Sequence, residues 1–137
     1  MNTKQWFEVC KPNPSKEQAC VQVGVHIEEF AEMLSALGWR VHAKKIHELA
    51  DKYKQKWPCC IESIDNADRV ELLDSIIDQN VTGQGVCHTL KMNHEGALVE
   101  VESSNESKLE NGKPVFDANG KITKGKNYVK PNLELFV

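Results

Sequence analysis

The residues best placed to do chemistry in this chain are carboxylates. Glu28, Glu29 and Glu32 follow the pattern EExxE, and on a helix they share an arc of roughly 100°. Glu71, Asp74 and Asp78 stand at i, i+3 and i+7, within about 60° of arc on a second helix. No lysine or arginine follows the first group at i+3 or i+4, so neighbours on the same helix do not neutralise it. Val21, Val25 and Ala36 lie on the acidic side of the first helix, and apolar residues surround the second group. Such a set repels itself unless something cationic joins it. Oxygen-only ligands suit hard divalent ions such as Mg²⁺ or Mn²⁺, which also bind phosphates. The chemistry expected is metal-assisted reaction of a phosphate ester inside a helical bundle. The plain alternative is acidic surface.

The elements that must position these acids are helices. Ser15-Lys16-Glu17-Gln18 reads as a capping box, so a helix starts there. Val23, Ile27, Phe30, Leu34 and Leu37 follow at helical spacing and predict one buried stripe. Gly38 is its stop. A second helix is predicted from about residue 41 to 57, lysine-rich on one side and ended by Pro58. A third starts near Asp65 and carries the second acid group. Gly83 and Gly85 are expected to kink or interrupt it. A fourth runs from about His94 to Ser103. Residues 1–14 read as a lead-in closed by Pro12 and Pro14.

The tail has a different composition. Asn111-Gly112 and Asn119-Gly120 are turn dipeptides, and Phe116 and Ile122 flank the second, which predicts a short hairpin. Residues 108–130 carry six lysines against Glu110 and Asp117. A basic segment of this kind suits a triphosphate held partly by carboxylate-bound metal. The fold expected is an all-α bundle with a short C-terminal hairpin or irregular tail. It is read as a single domain over residues 1–137, with core helices at about 15–108 and a basic tail at 109–137.

Bulk properties narrow the function. The 137 residues are 40% hydrophobic and 27% charged, with formal net charge −3. A general nucleic-acid binder would carry a basic footprint. No apolar run approaches a membrane span and the N-terminus lacks an apolar signal segment, so the expected location is the cytoplasm. Five cysteines without a CxxC pair fit reduced, structural thiols. Gly83-Gln84-Gly85 lacks the lysine of a Walker A loop, and no EF-hand loop is present.

Glu28-Glu29-x-x-Glu32 followed by Glu71-x-x-Asp74 resembles the EExxE…ExxD signature of the all-α NTP pyrophosphohydrolases, the superfamily of MazG, phosphoribosyl-ATP pyrophosphohydrolases and dimeric dUTPases. Asp78 matches a further acid after ExxD. Ser104-Asn105-Glu106-Ser107-Lys108, then Gly112-Lys113-Pro114, Gly120-Lys121, Lys124-Gly125, Tyr128 and Pro131, look like the SNxSK…GK…Y…P tail of compact MazG-like proteins, many of them from phages. The likeness covers roughly residues 20–133. The spacer between Glu32 and Glu71 is longer than in the most compact members and is filled by the lysine-rich helix.

The resemblance implies particular roles. Glu29, Glu32, Glu71 and Asp74 would be metal ligands. Glu28 and Asp78 would be catalytic, orienting or deprotonating a metal-bound water. Asn105 and Lys108 would contact the triphosphate or sugar, and Lys124 and Tyr128 would close over it. Trp6, Trp39 and Trp57 are candidates for stacking on a base. The implied reaction is hydrolysis of a (d)NTP to monophosphate and pyrophosphate with Mg²⁺, replaceable by Mn²⁺. It leans towards dGTP or GTP, as in the MazZ-like phage branch. Hydrolysis of dCTP, dUTP or phosphoribosyl-ATP is the alternative in the same class. A non-catalytic acidic helical protein that binds a metal or a partner is the alternative in another. The resemblance also implies a homo-oligomer, dimer or tetramer, and the host cytoplasm for a phage protein. Neither nucleic acid nor membrane is expected as a partner.

Overall fold

A computed structural model describes residues 1–137, and helices dominate it. They are α1 (Thr3–Cys10), α2 (Lys16–Ala36), α3 (Arg40–Lys54), α4 (Pro58–Asp65), α5 (Arg69–Thr89) and α6 (His94–Glu106). Strands β1 (Val115–Phe116) and β2 (Ile122–Thr123) pair as one small hairpin, and a 3-10 turn at Leu133–Phe136 ends the chain. The protein is thus all-α with a minimal hairpin. Its residues group into two compact units. One holds residues 1–12, 68–115 and 122–137; the other holds residues 13–67 and the hairpin tip at 116–121.

The unit made by α2, α3 and α4 begins as expected. Ser15 Oγ accepts the Gln18 N–H at 3.2 Å while Gln18 Oε1 accepts the Ser15 N–H at 2.9 Å, a reciprocal cap that satisfies two helix-end donors. Gly38 follows the helix at φ +89°, a left-handed conformation glycine enters without steric cost. The buried face of α2 differs from the predicted stripe. Cys20, Val21, Gly24 and Ala31 are buried, whereas Val23, Ile27 and Leu34 are half-buried and Phe30 and Leu37 exposed. Small residues win this contact because they let two backbones approach. A Cβ on Gly24 would stand 2.7 Å from the Ala50 carbonyl oxygen and 2.9 Å from the Lys54 nitrogen. Ala43 and Ala50 of α3 are buried to match.

Two helices were not anticipated. Pro58 does not end α3, which stops at Lys54; it starts α4. At the first helical position a missing N–H costs nothing and the fixed φ is already helical. The break between α3 and α4 falls on Lys56, at φ +58°. In the other unit, residues 3–10 form α1 instead of an irregular lead-in. Asn2 Oδ1 accepts the Gln5 N–H and Gln5 Oε1 accepts the Asn2 N–H, a second capping box.

That unit is organised around α6, against which α1, α5 and the terminal turn pack. Trp6 and Cys10 are buried, and the Trp6 indole N–H donates to the Asn105 carbonyl at 3.0 Å. Phe136 rests on Gly96, where a Cβ would lie 2.6 Å from the ring. Helix α5 runs unbroken through Gly83 and Gly85. Both glycines face open space, so they weaken the helix by propensity alone and no neighbour bends it. Leu73, Ile77 and Val81 on α5 are exposed. Helix α6 continues to Glu106, three residues beyond Ser103. All five cysteines are free thiols, and no helix is long and apolar enough to cross a membrane.

Candidate functional site

Each acidic motif occupies one uninterrupted helix. Glu28, Glu29 and Glu32 lie on α2, in one unit; Glu71, Asp74 and Asp78 lie on α5, in the other. Glu29, Glu32, Glu71, Asp74 and Asp78 are exposed. Their donor chemistry suits a hard cation, but neither unit by itself gathers three carboxylate, imidazole or thiol groups into a set that could hold a metal ion. The Asp78 carbonyl accepts the Thr82 hydroxyl at 2.8 Å, a bond within the helix.

Glu28 stands apart from its neighbours. It sits on the α2 stripe that faces α3, and its side chain is only 16% exposed. Lys54 Nζ reaches Oε1 at 2.7 Å and Lys121 Nζ reaches Oε2 at 2.8 Å. Lys54 also bridges to Asp51 Oδ1 at 3.0 Å. Burial pushes the Glu28 carboxyl up, but the ammoniums of Lys121 and Lys54 outweigh it, and the pKa falls below the ordinary value. For Lys54, burial acts downward, and the bonds to Glu28 and Asp51 leave its pKa raised. The acidic face of α2 is therefore neutralised in part through tertiary contacts. Sequence reasoning placed Lys121 in the basic tail beside a triphosphate, not on Glu28, and assigned Lys54 no role. The lysine-rich character of α3 was a hint, but nothing in it singled out Lys54.

The four residues assigned to substrate lie in the α6 unit, near the C-terminal end of that helix. Lys108 Nζ donates to Asn105 Oδ1 at 2.7 Å and sits 5.7 Å from the Trp6 ring centre. Lys124 Nζ lies 4.8 Å from the Tyr128 ring centre, a cation–π contact. Gly125 passes so close to the Lys108 carbonyl that a Cβ would stand 2.5 Å from its oxygen. Structure thus joins Asn105 with Lys108 and Lys124 with Tyr128, and brings the two segments together at Gly125.

Two serines of the SNxSK-like segment, given no role of their own by sequence reasoning, hold this arrangement. Ser104, buried, donates its hydroxyl to the Val129 carbonyl at 2.7 Å. The Ser107 hydroxyl donates to the Ser104 carbonyl at 2.6 Å and accepts the Val129 N–H at 2.8 Å. Glu110 accepts the Lys126 N–H at 2.8 Å. The serines of the SNxSK-like segment therefore fasten residues 126–129 to the end of α6, while its asparagine and lysine meet each other. Of the three tryptophans, Trp6 is a core residue; Trp39 and Trp57 are exposed.

No protein-family model, curated protein or solved structure matches the chain.

Proposed function

We propose that the protein is a Mg²⁺-dependent nucleoside triphosphate pyrophosphohydrolase of MazG-like type. It converts a (d)NTP to the monophosphate and pyrophosphate, with a lean towards dGTP or GTP. The observation that carries this reading is the placement of both acidic motifs on unbroken helices with their carboxylates at helical spacing, together with the SNxSK-like segment closing α6. When bound, Mg²⁺ would lower the pKa of a water and polarise the phosphates. Glu29, Glu32, Glu71 and Asp74 are the ligands proposed, with Glu28 and Asp78 beside them. Asn105, Lys108, Lys124 and Tyr128 offer amide, ammonium and aromatic groups to a nucleotide. The protein is proposed to work as a homo-oligomer in the cytoplasm, in keeping with the exposed apolar residues of α5.

The pairing of Glu28 with two lysines favours a second reading. A carboxylate already neutralised by Lys54 and Lys121 needs no metal, as in a non-catalytic helical protein whose remaining acids meet a partner. One experiment separates the two. A panel of ribo- and deoxynucleoside triphosphates, with Mg²⁺ and with Mn²⁺, is assayed for products. Monophosphate and pyrophosphate support the hydrolase. Diphosphate and orthophosphate point to a different hydrolase class, and no turnover favours the binding protein.

A further inference from the structure

Residues 117–121 of the hairpin tip meet α2 and α3 through polar contacts. Residues 117–121 are Asp-Ala-Asn-Gly-Lys and bring no large apolar side chain to bury. The turn is stiff within itself. Asp117 Oδ1 accepts the N–H groups of Asn119 and Lys121, each at 2.9 Å, and the Asp117 N–H donates to the Lys121 carbonyl at 2.9 Å. Its external polar contacts are Lys121 on Glu28 at 2.8 Å and a long bond from Lys56 Nζ to the Asn119 carbonyl at 3.4 Å. Beneath it lies a polar cavity of about 200 Å³, lined by the tip together with Asp51, Lys54 and Gln55.

The two lysines on Glu28 are not equivalent. Lys54 is 16% exposed, fixed on a packed helix and held by a second carboxylate, Asp51. Lys121 is 38% exposed and rides on a five-residue turn. Of the two bonds, that to Lys121 is the one solvent and competing ions can reach. We propose that Lys121 is an ionic latch. It docks the hairpin tip on Glu28 and occupies that carboxylate, and a polyphosphate anion opens the latch by drawing the ammonium to itself. A polyphosphate outcompetes a single carboxylate because it carries several negative charges and more acceptor oxygens. Opening leaves Glu28 with Lys54 alone and one oxygen free, and widens the entrance to the cavity. The identity of the anion as a nucleotide's phosphate chain rests on the pyrophosphohydrolase reading; the latch does not.

The test uses backbone ¹⁵N relaxation on the full chain, with Asn119 and Gly120 as reporters and inorganic tripolyphosphate as the probe. In the wild type both amides should be ordered, near an order parameter of about 0.85, and in Lys121→Gln and Glu28→Gln they should fall as the whole tip, still closed on its own bonds, moves free of α2 and α3. Tripolyphosphate should lower the wild-type values in the same way and leave Lys121→Gln unchanged. Sodium chloride at matched ionic strength should do markedly less. Unchanged order in both variants overturns the latch. An equal response to sodium chloride overturns release by the anion in favour of screening. Because relaxation is read without turnover, a nucleotide panel that yields no pyrophosphate removes the hydrolase reading and not the latch.

Discussion

Glu28 of α2 and Lys54 of α3 meet at 2.7 Å, each with a side chain 16% exposed. The pair lies where Gly24 lets α2 come against the α3 backbone at Ala50 and Lys54. The close crossing of the two helices and the neutralisation of one acid of the EExxE motif are thus one structural fact. Removing either group leaves the other with fewer partners in a half-buried place, which costs more than losing an exposed pair.

The pH dependence follows from this pair. The folded Glu28 carboxyl has a pKa below its ordinary value of 4.5. Its stabilisation is fully present above that value and is lost as pH falls through the lower folded pKa. Glu28→Gln should therefore destabilise the protein by about 1–3 kcal/mol at pH 7. The gap from wild type should shrink once both are taken well below pH 4.5. Urea unfolding midpoints at pH 7 and under acid conditions measure it. A gap independent of pH would mean the charge of Glu28 does not matter.

Gly24 should be intolerant of any side chain. Alanine already collides with backbone atoms of Ala50 and Lys54 at under 3 Å, and larger residues must push α2 off α3. Gly24→Val should cost about 1–3 kcal/mol or more through overpacking. Gly83→Ala, placed in open space on α5, should instead stabilise by about 0.4–1 kcal/mol. Thermal melts of the two variants should move in opposite directions.

Glu32→Gln and Asp74→Asn test the proposed metal ligands. Both side chains are exposed, so both variants should fold with wild-type circular dichroism. Pyrophosphate release should fall by about 100-fold or more in each, as for loss of a group that stabilises transition-state charge. Near-normal turnover in both at saturating Mg²⁺ would remove these residues from the site.

Self-association should depend on α5. Leu73 is 61% exposed, Ile77 51% and Val81 62%, and residues four apart on a helix share one stripe. Lysine at Leu73 and Ile77 together should lower the mass measured by light scattering at micromolar concentration. A wild type that is monomeric there would contradict a homo-oligomer.

The sequence by itself determined the helical class and much of its punctuation, because those signals are local. Ser15 and Gln18 cap α2 through atoms three residues apart, and Gly38 stops it with its own φ. Asn119-Gly120 turns the hairpin in the same short-range way. Pro58 misled because one residue can end a helix or begin one, and only the left-handed Lys56 before it decides which. Glu28 misled more deeply. In sequence it is one of three like acids; in space it is held by lysines 26 and 93 residues away. Likewise Val23–Leu37 has the spacing of a core stripe, yet the Cys20–Ala31 face packs most tightly because small side chains permit the closest helix approach. Periodicity records which residues share a face. Which face meets another helix, and which charge finds a partner there, is set by contacts between segments far apart in the chain, and those exist only in the folded protein.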